Sequence, residues 1–537
     1  LERPWYRFYP KHVSPNLKYP ERAVHQNLRI SAEKHGEREC VIFEGNSYSY
    51  RKILELSTRM ANALIKMGIE KGDRVAIYLP NLPQFIVSYY AILSCGGVVV
   101  ACNALYREKE VEYLLKDSGT RAVITLDELK PVVERVLEKT EVERVIVTSR
   151  EDARLLAVSE GKGDGEFLRF IDKGEFEFPD VQINPKEDLA VLQYTGGTTG
   201  TPKGAMLTHY NLIVDQTQEA VWFGFGEGRE TAIIFLPLSH IYGMNWCMNT
   251  MIMVAGTIVL MERFNPEKVL EYVNRYSPTI FYGVPTAYIA LLNHPDVTKA
   301  DFTKMRTCFS AAAPLPPEVK RKWKEVTNAD IIEAWGLTEA SPCLTCTPVG
   351  MYGENLIGVP MPDTDVKVVD VDTAKDLPAG EVGELVGKGP QIMKGYWNKP
   401  EETANALRDG WLFTGDLGYM DENGLFYFVD RKKDMINVAG YKVWPNEVEE
   451  VLYEHPAIKE AAVVSSPDSV KGEVPKAFVV LKDEYKGRLD KEEIVEFCKK
   501  RLAPFKVPKK IEFVEDLPKS PVGKILRRVL REKEWGR

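Results

Sequence analysis

Short, wholly apolar runs alternate along this chain with longer segments in which apolar residues recur every three or four positions. DRVAIYLP (73–80) predicts a strand, and Gln84 to Leu93 a buried helix. AVITL, RVIVTS and LAVLQYT predict further strands, and HYNLIVDQTQEA a helix. TAIIFLP and TIVLM predict strands ahead of the helix PEKVLEYVNRY, which opens on proline, where a missing N–H costs nothing. TIFYGVP, TCFSAA and DIIEAWG predict strands separated by the helices TAYIALLNH and PPEVKRKWKEV. Such alternation implies parallel sheets covered on both faces, the doubly wound α/β class. After about Val359 the pattern shortens: VKVVD, GELVGKG and GLFYFVD predict a small β-rich subdomain. Beyond DRKKDMINVAGYKVWPNEVEEVL, the segments EAAVVSS, KAFVVLK, KEEIVEFCKKRL and KKIEFVEDLP predict a compact α+β domain of roughly a hundred residues. Ligands of α/β folds gather at the carboxyl ends of strands. YTGGTTGTPKG, SAAAP and WGLTE each follow a predicted strand, so they are expected to converge on one cleft.

Composition narrows the possibilities. At 537 residues the chain is too long for one core, and 44% apolar with 28% charged residues is the balance of a globular protein. A net charge of −8 gives no basic field for nucleic acid. Eight cysteines in this length make no disulfide framework, and the lone C-x-x-C of Cys343 and Cys346 reads as structural. Seven histidines without an H-x-x-x-H pair leave no zinc site to expect. LERPWYRFYP has no apolar signal core; the chain does not begin with Met, which leaves room for a trimmed address. Val75 to Tyr106 carries no charge, yet Pro80, Asn81, Pro83, Gln84, Gly96 and Gly97 favour a buried strand–helix–strand unit over a membrane span.

The stretch from Tyr194 to Gly204 concentrates four glycines and four threonines around Pro202 and Lys203. Pliant backbone, bare N–H groups, hydroxyls and one cation suit a phosphate chain. The apolar run Leu189 to Tyr194 before it and a helix opening near Thr208 after it suggest a strand–loop–helix cradle. It is not a Walker loop, because Lys203 is followed by Gly204 and not by Ser or Thr. In WGLTEAS, Thr338 and Glu339 pair a hydroxyl with a carboxylate at a strand end, suited to a phosphate and its magnesium, although alone they read better as a solvated turn. WLFTGDLG sets Asp416 among Trp411, Phe413 and Leu417, where a carboxylate needs donors; ribose hydroxyls and ordinary turn contacts serve equally. DRKKD (430–434) alone is a solvated charge run, and Lys524 in PKSPVGKILRR alone is a surface lysine after a glycine.

In their order and spacing these segments resemble the AMP-forming acyl-CoA synthetase superfamily, which also holds luciferases and peptide-synthetase adenylation domains. YTGGTTGTPKG, WGLTE, TGDLG, DRKKDMINVAGYKVWP and PKSPVGK carry the resemblance across essentially the whole chain. Gly196 replaces the commoner Ser, as in fatty-acid ligases; Ala311 stands where Gly is usual and Trp335 where Tyr is common. RPWYRFYPKHVSPNL and the residues after it resemble the start of long-chain fatty-acyl-CoA ligases.

The resemblance implies a large N-terminal domain over 1–430 with mixed and parallel sheets and the β-rich subdomain at about 359–430, a hinge at 431–434, and a small mobile C-terminal domain over 435–537. It implies ATP and coenzyme A as co-substrates with Mg²⁺. Thr195, Gly196, Gly197, Thr198, Thr199, Gly200 and Lys203 would embrace the β- and γ-phosphates; Thr338 would meet the α-phosphate and Glu339 would hold Mg²⁺. Ala312, Ala313, Glu333, Ala334 and Trp335 would wall the adenine, and Asp416 and Arg431 would hold the ribose. Lys524 would bridge the incoming carboxylate and the α-phosphate, then withdraw as the small domain turns about Lys433, a position expected to stay solvated in both states. Ala439, Gly440 and Tyr441 would then line the path of coenzyme A. His240, Tyr242, Gly243, Tyr282, Gly283, Val284 and Ala311 would border the acyl pocket, with His240 equally readable as a core histidine. LPLSHIYGMNWCM (236–248) lacks the Asp that amino-acid-activating relatives carry there. The expected reaction is therefore activation of a medium-to-long-chain fatty acid and its transfer to coenzyme A. Aryl or short branched acids, a carrier-protein loader and a non-catalytic nucleotide scaffold are the alternatives. A cytoplasmic protein is expected, with peripheral contact at the inner membrane face and a homodimer left open.

Overall fold

Strand Arg74–Tyr78 leads into helix Pro83–Ser94 and out through strand Val98–Cys102, which pairs with the first strand in parallel. Every residue from Pro83 to Leu93 is buried, so no position in the helix has water for a charge. In this computed structural model, which describes residues 3–158, 165–195, 202–311, 313, 315–439, 441–468, 470–520 and 523–536, that unit sits at the centre of a sheet. The sheet runs in the order Arg144–Thr148, Thr120–Leu126, Arg74–Tyr78, Val98–Cys102, Leu189–Thr195 and Lys203–Thr208.

Only the last of these strands is antiparallel, and it corrects one expectation. Lys203–Thr208 pairs with Leu189–Thr195 from Leu189↔Thr208 to Thr195↔Lys203. The threonine–glycine stretch therefore joins the two strands of a hairpin and does not run directly into a helix. The apolar residues Ala205 and Leu207 are both buried, and the strand continues until Thr208 caps the next element. The Thr208 hydroxyl accepts from the Asn211 N–H (3.1 Å) while Asn211 Oδ1 accepts from the Thr208 N–H (3.0 Å), and helix His209–Phe223 follows.

In a larger sheet, a parallel array runs in the order Glu39–Phe43, Thr257–Leu260, Thr231–Ile234, Ile280–Gly283, Thr307–Ser310 and Ile331–Gly336, with Asn46–Ser49 antiparallel to Glu39–Phe43 at the edge. Helices such as Pro266–Tyr276 cover it; Val269, Leu270, Tyr272 and Val273 form the buried face, and Asn265 caps the helix by accepting from the Lys268 N–H (2.9 Å). Beyond Ile331–Gly336 the same sheet turns antiparallel through Cys343–Cys346, Leu356–Pro360, Phe426–Arg431, Trp411–Met420, Gly383–Lys388 and Asp365–Val369. The β-rich segment is thus continuous with the parallel array. Cys343 and Cys346 open and close one strand, both buried as free thiols. Three residues of extended chain set them about 10 Å apart, beyond the reach of a disulfide.

The C-terminal part has its own sheet, in the order Tyr441–Val443, Ile436–Val438, Gly472–Leu481 and Ile458–Asp468, with Lys510–Phe513 parallel to Gly472–Leu481. Its apolar core starts at Ile436 and gathers Val448, Leu452, Val463, Val479 and Ile494, whereas the core of the large body ends at Phe426 and Phe428. DRKKD lies between the two cores. Among the described residues, no helix is long and apolar enough to cross a membrane.

Gly358 tests the join between the parallel and antiparallel halves. Its φ is +85°, and a Cβ there would stand 2.1 Å from the Cys346 carbonyl oxygen. Gly350 has a φ of +78° and nothing within 4 Å of such a Cβ. Gly350→Ala is expected to cost about 1–2 kcal/mol, the left-handed backbone penalty alone. Gly358→Ala should cost clearly more, read as a larger fall in the thermal midpoint.

Candidate active site

Strand ends from both sheets open onto a cavity of about 560 Å³. Thr195 closes one strand of the hairpin and Lys203 starts the other, so both reach the cavity from the smaller sheet. Ala334, Trp335, Thr338 and Glu339 come from the end of Ile331–Gly336 and the turn after it. Asp416 and Arg431 come from adjacent antiparallel strands, in register with each other. Lys524 reaches the same cavity from the C-terminal part.

The polar side chains are held by one another. Glu339 is buried, and its Oε1 accepts from the Tyr396 hydroxyl (2.6 Å). Burial pushes the Glu339 pKa up, and the phenol bond opposes that rise. Lys203 Nζ lies 5.1 Å from the centre of the Tyr396 ring. Tyr396 is fixed because its segment runs alongside Lys203–Thr208: the Met206 N–H donates to Gly395 O (2.9 Å), the Lys394 N–H to Met206 O (3.0 Å) and the Trp397 N–H to Gly204 O (2.8 Å). The sequence reading missed Tyr396, since no spacing signal ties it to a carboxylate 57 positions earlier. Asp416 is 6% exposed; its Oδ2 accepts from Trp335 Nε1 (2.9 Å) and its Oδ1 lies 3.3 Å from Arg431 Nε. The tryptophan at 335 therefore supplies a donor to the carboxylate besides walling the cavity.

Lys524 sits on a tight turn. Its N–H donates to Ser520 Oγ (3.1 Å), and the Ser520 N–H donates to Lys524 O (2.7 Å). Gly523 permits the turn at φ +76°; a Cβ there would stand 2.8 Å from Thr286 Oγ1, so the turn seats against helix Pro285–Leu292. Burial pushes the Lys524 pKa down to about 7, the Arg431 charge pushes the same way, and Asp416 opposes both. His240, on the opposite wall, is pushed down to about 4 by burial and by the Lys524 charge, and its Nδ1 accepts from the Tyr242 N–H (3.3 Å).

Other expected residues stand off the cavity wall. Glu333 is buried in an ion pair with Lys320 and accepts from the Leu315 N–H (3.2 Å), so packing satisfies it. Ala313 is not among the lining residues. Gly243 and Gly283 serve close packing: a Cβ would stand 2.3 Å from Pro237 O at the first and 2.6 Å from the Tyr288 ring at the second. Tyr282 lies deeper, stacked on Phe309 at 5.1 Å and donating to Glu219 Oε1 (2.9 Å). Val284 precedes helix Pro285–Leu292 and is buried away from the lining. Tyr242 and Ala311 line the cavity with His240. Lys433 is half-buried, and burial lowers its pKa, so in this arrangement it is not the solvated residue expected. Ala439 and Tyr441 lie outside the cavity; Tyr441 is 60% exposed and stacks on Phe505 at 4.7 Å. Gly196, Gly197, Thr198, Thr199, Gly200, Ala312 and Gly440 fall outside the described residues.

The segment 236–248 holds a wide-turned π-helix, Tyr242–Asn249, which no sequence pattern announced. Helix His209–Phe223 brings two acids behind it. Asp215 accepts from Asn245 Nδ2 (3.0 Å) and from the Cys343 N–H (3.0 Å), and Glu219 accepts from the Thr250 hydroxyl (2.6 Å) and from Tyr282. Neither lines the cavity.

Residues 28–397 match the AMP-binding enzyme family, and residues 447–524 match the AMP-binding enzyme C-terminal domain. The chain is a member of the AMP-binding enzyme family. A long-chain-fatty-acid–CoA ligase of Bacillus subtilis (strain 168) is 42% identical over 99% of this chain and 98% of its own length. One of Salmonella typhimurium (strain LT2) is 36% identical over 100% and 99%. Among solved structures, ATP-bound MatB from Rhodopseudomonas palustris is 30% identical with a TM-score of 0.87, covering 96% of this chain and 99% of its own. Apo MatB, at the same identity and coverage, gives 0.77, so the present arrangement is nearer the nucleotide-bound form.

A lysine pushed down to about 7 is half neutral at that pH, whereas an ordinary lysine is almost wholly protonated. At pH 8 in the nucleotide-free protein, Lys524 should react with an amine-acylating reagent faster than surface lysines. At pH 5.5 its own labelling should fall by well over tenfold, because the amine is then almost wholly protonated. Added ATP should raise the pKa by its negative charge and suppress labelling, as read by peptide mass mapping.

Proposed function

We propose that the protein is an AMP-forming ligase that joins a medium-to-long-chain fatty acid to coenzyme A through an acyl-adenylate. The observation that carries the reading is Lys524. It is contributed by the C-terminal part, yet shares one cavity with Thr195, Lys203, Thr338, Glu339, Asp416 and Arg431. Full-length likeness to fatty-acid ligases supports the choice of acid.

A carboxylate oxygen attacks the α-phosphorus of ATP, a new P–O bond forms, and the bond to the β-phosphate breaks to release pyrophosphate. The carboxylate needs no base. Its obstacle is its approach to a polyanion, and fixed positive charge in a water-poor cleft removes that obstacle. Lys203 and the hairpin take the β- and γ-phosphates, Thr338 the α-phosphate, and Asp416 with Arg431 the ribose. Lys524 stands between α-phosphate and acid as a point charge. Glu339 fits Mg²⁺: it is a hard oxygen donor whose Oε1 is oriented by Tyr396. Among the described residues no cluster of three or more acidic, His or Cys side chains could hold a metal, which suits an ion that arrives with the nucleotide. When bound, the ion would neutralise phosphate charge.

In the second step the thiolate of coenzyme A attacks the acyl carbon and AMP leaves. Lys524 must then withdraw. Separate apolar cores on either side of 431–434, and the unequal likeness to ATP-bound and apo MatB, support rotation about that segment. Ala439 and Tyr441, now outside the cavity, would face the incoming pantetheine after the turn. The wall formed by Tyr242 and Trp246, with rings 6.1 Å apart, favours a second reading in which the acid is aryl or short.

Lys524→Ala is expected to lower acid-dependent pyrophosphate release by about a hundredfold or more while sparing thioester formation from preformed acyl-adenylate. Equal loss of both half-reactions contradicts the exchange of positions. A ladder of straight-chain acids against benzoate and cinnamate in the pyrophosphate assay separates the two readings of the acid; discrimination between neighbouring chain lengths should be gradual, about 1–3 kcal/mol per methylene at most.

A further inference from the structure

Arg527 lies three residues beyond Lys524 and opens helix Arg527–Glu534. Its guanidinium is spread over two parts of the molecule. Nη1 donates to Asp430 Oδ1 (2.9 Å) and Nε donates to Glu449 Oε1 (2.9 Å); Nη2 also pairs with Glu449 Oε2 and donates to Asn446 Oδ1 (3.3 Å). Asp430 is fully buried at 0% exposure, and its other oxygen accepts from the Asn446 N–H (2.8 Å). Glu449 Oε1 also accepts from the Val463 N–H (2.7 Å). Glu449 and Asn446 belong to the small unit, on helix Pro445–Tyr453, and Val463 lies in its sheet. Asp430 belongs to strand Phe426–Arg431 of the large sheet. One carboxylate of the large body is thus plugged into a cationic socket of the small one.

The contact repeats one turn on. Arg531 Nη1 donates to Asp434 Oδ1 (2.7 Å) and to Lys433 O (3.0 Å). Two arginines one helical turn apart therefore grip the two ends of the segment 431–434. A rotation about that segment must part Asp430 from Arg527 and Asn446, while Arg527 keeps Glu449, which travels with it.

We propose that the Asp430–Arg527–Glu449 triad is the latch that holds the Lys524 turn in the cleft, and that Arg527 is a positioning residue for adenylation. This rests on the ligase reading and its exchange of half-reactions. A buried ion triad suits a latch. Its attraction is offset by the cost of drying the ions, and rotation returns Asp430 to water, so opening recovers that cost. A substitution recovers nothing of the kind, because it strips the socket while the arginine stays buried. Asp430 also adjoins Arg431, whose Nε lies 3.3 Å from Asp416 Oδ1 in the cavity, so a nucleotide on that pair sits next to the latch.

The test uses the full chain and measures both half-reactions separately: ATP- and fatty-acid-dependent pyrophosphate release, and thioester formation from preformed acyl-adenylate and coenzyme A. Asp430→Asn is expected to lower the first by about tenfold or more, within the range of such coupling contacts, and to leave the second within about twofold. Asp430→Glu, which keeps the charge but not the length, should fall between the variant and the unaltered protein. Lys524→Ala is run alongside. If Lys524→Ala separates the half-reactions and a folded Asp430→Asn slows both equally, the triad is a mere anchor and the latch is wrong. If Lys524→Ala itself slows both equally, the ligase exchange beneath the proposal is wrong. Should Asp430→Asn fail to fold in a thermal scan, Asp430→Glu decides by the same split.

Discussion

Cations crowded into a dry cleft repel each other unless an anion is present, and the rest of this architecture is arranged around that cost. Lys524 bears it most plainly: out of water and beside Arg431, its pKa falls to about 7. A permanent tenant of that position would tend to shed its proton and its use. Under the proposed exchange of half-reactions, a residue carried on a separate unit would avoid this by arriving with the phosphates already bound. The Ser520–Lys524 hydrogen bonds, the glycine seated against Thr286 and the separate core beyond Ile436 are consistent with that proposal.

Preorganisation on the large body works in the opposite way, by tying elements together. Tyr396 joins the Glu339 carboxylate to the Lys203 ammonium, and its backbone neighbours zip onto the second hairpin strand. Trp335 does the same for Asp416. In both cases a neutral donor orients a buried carboxylate, and at Asp416 the Arg431 guanidinium 3.3 Å away adds a charged partner.

Much of this was legible in the sequence, and the limits have physical causes. The uncharged run Val75 to Tyr106 read correctly as a buried strand–helix–strand because its Gly and Pro positions rule out one continuous helix. The hairpin did not read as one: KGAMLT is short, and a nearby helix start at Thr208 drew the boundary forward. Lining glycines were over-assigned, since a motif cannot tell a glycine that faces a ligand from one such as Gly243 that makes room for a carbonyl. The ion pair of Glu333 was not legible because Lys320, its partner, lies on a helix that sequence spacing does not bring to it. Tyr396 and Arg527 were missed for the same reason: their roles exist only through partners distant in the chain.

The acyl side of the cavity raises a subtler point. The wall segment 236–248 contains no acid, yet Asp215 and Glu219 stand immediately behind it on helix His209–Phe223. Two carboxylates there would repel a substrate carboxylate if they were ionised. Burial pushes the pKa of both up, so they tend to hold protons, and their oxygens are engaged by Asn245, Tyr282, Thr250 and the Cys343 N–H. His240, pushed down to about 4, is neutral as well. This stretch of wall therefore adds little charge, and the charged groups of the cavity stand elsewhere on its lining, where Lys524, Arg431 and Lys203 share it with Glu339 and Asp416. An acid entering such a space is drawn by its head group alone, and its tail meets a neutral, aromatic wall that sorts by shape. The character of this wall thus depends on the two acids behind it as well as on its own residues: both are buried, and their oxygens are already engaged.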